Sequence, residues 1–332
     1  MIVHTLRWRR TVLLVSALCL MSCQFMADRE TQGTPLQLSI GVRAAPESAL
    51  IAVADEKGYF KEAGLDVTTT LYPAGLLALE AVVRGEVEVA TIADIAFASR
   101  MLDEPSLRVL ASIGFSTASQ IVARRDRGID KPSDLKGKKI GFSPDTTSDY
   151  FLYTFLLTEN ISPNEVMAVP TAPARQADAV VGGELDAVSA FDVYAFDAMK
   201  RLGDKGVSWD CQNNLGYQWL LATKGSLTKS PERLKRLVSA LIKAEQFARF
   251  NEAEVKRILV RKWDLDPGLV EKISPKIRLS VTFSQTVAAS LRDYSRWKMR
   301  KEGKGGAPPD VLEFLYTGAL DEVAPRAVTL FR

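Results

Sequence analysis

The stretch from Ala81 to Asp94, AVVRGEVEVATIAD, returns 98 residues later as AVVGGELDAVSAFD, from Ala179 to Asp192. In each copy an apolar helix end runs to a glycine, an acidic residue opens a short apolar strand, and an aspartate stands where that strand yields to the next helix. Each signal is common punctuation, so coincidence is the competing reading. A chain that uses one α/β unit twice has few ways to fold. Two similar lobes, their strand ends facing each other across a crevice, satisfy the pattern, and the crevice is the usual place for a small ligand.

The N-terminus reads as an address. Arg7, Arg9 and Arg10 form a basic head, Thr11 to Met21 an apolar run too short to span a bilayer, and Leu20-Met21-Ser22-Cys23 a cleavage site ending in cysteine. Residues 1–22 are expected to be a secretory signal. The motif resembles the lipobox of bacterial lipoproteins, which implies lipid attachment at Cys23 and a periplasmic protein held at a membrane face. Plain cleavage into an unanchored form is the alternative. Residues 23–35 read as a tether.

Removing the leader changes the charge census. It takes three arginines and no acids from 43 Lys+Arg against 40 Asp+Glu, leaving 40 against 40. A near-neutral chain lacks the basic tract that tracks nucleic acid. The one histidine, His4, also lies in the leader, as does Cys19, so the mature chain keeps only Cys23 and Cys211. That composition argues against Ser-His-Asp and Cys-His catalysis, His-containing zinc sites and cysteine clusters, and no metal or cofactor is expected.

Alternating strand and helix signals run from Leu36 to Phe115 and resume from Gln120. Ser116 to Ser119 is a small polar run suited to a crossing between lobes. Strand Tyr217 to Ala222 is expected back in the first lobe, followed by a mostly helical C-terminal half. The lobes are placed at 36–117 with 216–332, and at 118–215. Two crossings make a hinge.

Candidate ligand contacts cluster at predicted strand ends. Thr146, Thr147 and Ser148 open a helix, where free N–H groups, hydroxyls and the positive helix end suit an anion, unless they only cap it. Asp149 would repel that anion if it pointed inward. Asp94 and Asp192 are matched across the repeat as caps or, with Glu47, as acceptors for an amine or other N–H donors. Four acids beside one anion cradle favour a zwitterion or polar heterocycle. Among the aromatics Tyr72, Phe191, Tyr194, Tyr217 and Trp219, Phe191 and Tyr194 are the preferred stacking partners. Pro46, Gly75 and Ser116 lie in loops whose backbone can reach a ligand.

Several segments carry a family resemblance. Ala49 to Val67, Leu79 to Asp94, Asp134 to Lys138, Gly183 to Ala187 and the Pro231 to Phe250 helix resemble substrate-binding proteins of bacterial ABC importers. The likeness is to the group that binds sulfonates, taurine, nitrate and thiamine pyrimidines. It implies a two-lobed type II periplasmic binding protein fold of α/β class, a hinged cleft, and a monomer delivering a small ligand to a permease and its ATPase. A eukaryotic pyrimidine synthase of the same superfamily consumes its own histidine and carries a cysteine-rich motif, both missing from this mature chain. An envelope sensor receptor would use the same fold and pocket. A carboxylate-based enzyme would need closely paired acids that no motif places.

Overall fold

The computed structural model describes residues 34–210 and 216–331. The leader, Cys23, nearly all of the tether and Cys211 lie outside the described residues. The chain opens with β1 (Leu36–Arg43), α1 (Ala49–Glu56), α2 (Tyr59–Glu62), β2 (Leu65–Tyr72), α3 (Gly75–Arg84), β3 (Val89–Ala93), α4 (Asp94–Met101) and β4 (Leu107–Ser116). It continues through β5 (Gln120–Arg124), β6 (Lys139–Phe142), α5 (Thr147–Thr158), β7 (Met167–Pro170), α6 (Gln176–Gly182), β8 (Ala187–Ala190), α7 (Asp192–Leu202) and β9 (Gly206–Asp210). The last part holds β10 (Tyr217–Lys224), α8 (Pro231–Phe250), α9 (Glu252–Trp263), α10 (Pro267–Ile273), β11 (Ile277–Ser284), α11 (Gln285–Lys301), α12 (Gly318–Val323) and β12 (Val328–Thr329).

These strands form two sheets, ordered β12-β11-β4-β10-β3-β1-β2 and β7-β6-β8-β5-β9. Five neighbours of the first, β4-β10-β3-β1-β2, repeat the order of the second, β9-β5-β8-β6-β7. In each, the first and third strands of the repeat pair in parallel. Each sheet also takes one antiparallel strand between its third and fourth: β10 in the first, β5 in the second. The duplication is therefore one of topology as well as of sequence. Its punctuation marks are where the repeat requires them: Gly85 and Gly183 end α3 and α6 with φ of 79° and 81°, the left-handed region that glycine enters without a Cβ penalty. Asp94 and Asp192 are the first residues of α4 and α7.

Inside the small sheet, strands alternate between two cores and not between core and water. In β5, Ile121 and Ala123 pack with Ile140 and the α5 residues Phe151 and Phe155. Val122 between them points the other way, to Val180, Val188 and Ala195.

The first crossing, at Ser116 to Ser119, leads from β4 in the large sheet to β5 in the small one. Thr117 N–H donates to Lys276 O at 3.1 Å, and Lys276 pairs with Asp210 at 2.7 Å, so the first crossing and the end of β9 are both tied to the start of β11. The part after β10 is mostly helical, as expected, and β11 is a strand that the expectation did not include. Ile277 to Ser284 alternates and adds to β4 in the large sheet. Among the described residues no helix is long and apolar enough to cross a membrane.

Candidate functional site

Arg43 is the last residue of β1, and its guanidinium lies between the two sheets. Its Nη2 donates to Asp192 Oδ1 of the second lobe, and its Nη1 is 3.6 Å from Glu47 Oε2. Aromatic faces flank it, with Phe191 at 5.2 Å and Trp219 at 5.8 Å from ring centroid to guanidinium carbon. The three charged residues are no more than 5% exposed. Burial at this depth disfavours the charged guanidinium, yet Asp192 and Glu47 outweigh it and hold the arginine more firmly protonated than usual.

Glu47 is locked from the other side. Tyr217 OH donates to its Oε1 at 2.6 Å and Ser116 Oγ at 3.0 Å. Burial, joined by the Asp192 charge and opposed by Arg43, pushes its carboxyl up to about 7. Two oxygens of this cluster, Glu47 Oε2 and Asp192 Oδ2, are buried without a hydrogen bond among the described residues. Buried acceptors of this kind are uncommon and invite a donor.

A cavity of about 20 Å³ opens beside the cluster, lined from one lobe by Arg43, Gly75, Tyr217 and Trp219 and from the other by Thr147 and Phe191. That is room for about one water-sized group. Helix N-termini point at it: α3 through Gly75 and Leu76, α4 through Ala93 and Ala96, α5 through Thr146 and Thr147. Gly75 is required for the approach of α3, since a Cβ there would lie 2.8 Å from Thr91 O and 2.9 Å from the Ile92 Cα. Ser48 anchors the Trp219 wall by accepting its indole N–H at 2.9 Å.

The candidate residues read from sequence divide into groups. Gly75, Thr146, Thr147 and Phe191 line the cavity, Glu47 and Asp192 flank its arginine, and Ser116 reaches it only through Glu47. Tyr194 crosses between lobes, its OH donating to Pro73 O at 2.9 Å. Thr147 makes no side-chain hydrogen bond among the described residues and can offer its hydroxyl. The others are diverted. Thr146 caps α5, accepting from Ser148 N and donating to Ser143 O at 2.7 Å. Ser148 Oγ donates to Ser189 O at 2.6 Å and accepts from Ser143 N at 2.9 Å, so its hydroxyl is consumed by the lobe. Asp149 faces α11 and pairs with Lys301, which removes its expected repulsion of an anion. Asp94 accepts from Ile95 N at 2.9 Å and Gln218 N at 3.1 Å, pinning α4 to β10, and burial raises it to about 7 despite these N–H groups. Pro46 lines a separate groove against α8, α9 and β11. Arg43 was absent from the sequence candidates. The signal available was its position, at the carboxyl end of the first strand, where α/β sheets present ligand contacts.

Among the described residues no group of three His, Cys, Asp or Glu side chains could hold a metal ion. The arrangement offers a shielded cation, two under-used carboxylate oxygens, aromatic walls and helix N-termini, drawn from both lobes.

Known proteins share this architecture. The taurine-binding periplasmic protein of Escherichia coli is 23% identical over 219 residues, covering 65% of this chain and 67% of its own. The alkanesulfonate-binding protein of Xanthomonas axonopodis pv. citri superposes with a TM-score of 0.72 at 17% identity, over 86% of this chain and 99% of its own. The same fold also houses a desulfurization enzyme, with a TM-score of 0.63 at 16% identity, over 88% of this chain and 99% of its own. The NMT1/THI5-like profile matches residues 45–254, more than half of the sequence, so the chain belongs to the NMT1/THI5-like family.

Proposed function

We propose that this protein is the solute-binding component of an ABC importer, capturing a small polar solute between its lobes and releasing it unchanged to a permease. One observation carries the reading: a buried arginine of one lobe is shared with an aspartate of the other inside a cavity walled by both. A solute larger than water needs the lobes to part, and contacts made with both lobes only after they meet again are what bias a hinge. Residues 36–117 with 216–332 would move as one body against 118–215.

The chemistry favours a zwitterion or a flat polar ring. An anionic or acceptor group would take Arg43, Thr147 and the helix N-termini, an N–H donor would satisfy Glu47 Oε2 and Asp192 Oδ2, and a ring would stack on Phe191 and Trp219. An amino-sulfonate such as the E. coli relative binds has both ends. Attachment through a lipid at Cys23, after loss of residues 1–22, is the accompanying proposal for location, checked by incorporation of labelled palmitate.

A thermal-shift panel of sulfonates, amino-sulfonates, nitrate and pyrimidines tests the reading. One class is expected to raise Tm with dose, by the equivalent of about 2.7 kcal/mol at a hundredfold excess over Kd, and mass spectrometry should recover it unaltered. A solute consumed and converted would instead make the protein an enzyme on the same fold.

A further inference from the structure

A second concavity lies where α5 of the small-sheet lobe meets α11 of the large-sheet lobe. It encloses about 370 Å³, within the range of small-molecule sites and far larger than the cavity at Arg43. Phe142, Leu152, Leu156 and Val166 form one wall, Trp297 and Arg300 the other. The walls meet through aromatic contacts, Tyr150 to Trp297 at 5.1 Å and Tyr150 to Tyr294 at 4.9 Å, both edge-on. Ion pairs flank the seam. Lys298 joins Asp145, and Lys301 joins Asp149 while lying 5.4 Å from the Phe142 ring and 5.2 Å from that of Trp297.

The charge at the rim is unbalanced. Lys301 and Asp149 cancel, whereas Arg300 is exposed and has no ion pair or hydrogen bond among the described residues. An apolar socket with one uncommitted guanidinium at its mouth suits a molecule with an apolar body and a single negative charge.

We propose that this seam is a second small-molecule site, for an aromatic or branched aliphatic monoanion, and that its occupant holds the lobes together. Because the two walls belong to different lobes, the site is whole only while they touch, and anything bound there favours that state. This last point rests on the hinged reading of the fold. Binding itself does not.

Calorimetry with 4-phenylbutyrate and its neutral amide separates the two. The carboxylate should bind saturably at one site, at least fivefold tighter than the amide, and Arg300→Ala should erase that preference. Ala168→Trp, at an exposed position on the pocket wall, should abolish binding while leaving Tm within a few degrees. Equal binding of acid and amide, or binding that survives Ala168→Trp, overturns the site. For the lobes, dyes at the exposed residues Lys61 and Lys205 should report a larger closed population with saturating phenylbutyrate. An unchanged distribution overturns the bridging role and leaves the site standing.

Discussion

Replacing Arg43 with methionine should cost about 3 to 5 kcal/mol of stability at pH 7.5, the usual loss when one partner of a buried ion pair is removed, and should eliminate solute binding. The size follows from what remains. Glu47 and Asp192 are 0% and 1% exposed, each already has one oxygen without a hydrogen bond, and Arg43 is the cation they share. Without it, two carboxylates face each other across the lobes in a low-dielectric pocket. Combining Arg43→Met with Glu47→Gln and Asp192→Leu should restore much of the stability, since apolar replacement of a whole buried charge cluster is often neutral. It should not restore binding. Urea denaturation and calorimetry read the two effects separately, and a single mutant as stable as the wild type would show that the cluster is not electrostatically coupled.

Stability should also fall as pH rises from about 5 to about 7.5. Glu47 and Asp94 are both pushed up to about 7, by burial above all, from ordinary values of 4.5 and 3.8. An acid whose folded value exceeds its unfolded one stabilises fully below the unfolded value, and that contribution is lost as pH climbs through the folded value. At about 1.4 kcal/mol per unit, each group is worth on the order of 3 kcal/mol across the window. His4, the only histidine in the sequence, falls in the segment expected to be a leader, and the surface acids held low by partners, such as Glu86 and Asp126, titrate below this window. Urea midpoints at pH 5, 6, 7 and 8 should decline in the wild type and decline less in Glu47→Gln. A midpoint that rises with pH would mean that these acids are charged and satisfied in the folded protein.

What could be read from the sequence was punctuation. Gly85 and Gly183 advertise their left-handed conformation, and Asp94 and Asp192 their helix starts, because each signal is local. The same locality made Asp94 and Asp192 look equivalent. Only the fold separates them, giving Asp94 two backbone N–H groups within its own lobe and Asp192 a guanidinium 149 residues away in sequence. Arg43 was passed over for the same reason, since a lone arginine before Ala-Ala-Pro reads as a turn until the second lobe closes upon it. Ser148 and Asp149 show the converse. At a helix start they look available, but Ser189 O takes one and Lys301 the other. β11 was missed because its alternation sits between strong helix signals, and its place in the sheet is set by pairing with β4, far back in the chain.

The central claim is that two bodies open and close on a solute around Arg43. Single-molecule energy transfer between dyes at Lys61 and Lys205 tests it most directly, titrated with whichever solute of the panel raises Tm. Two populations should appear, the compact one growing saturably in the wild type and failing to grow in Arg43→Met. One unchanging population at every concentration of a solute that demonstrably binds would contradict the account.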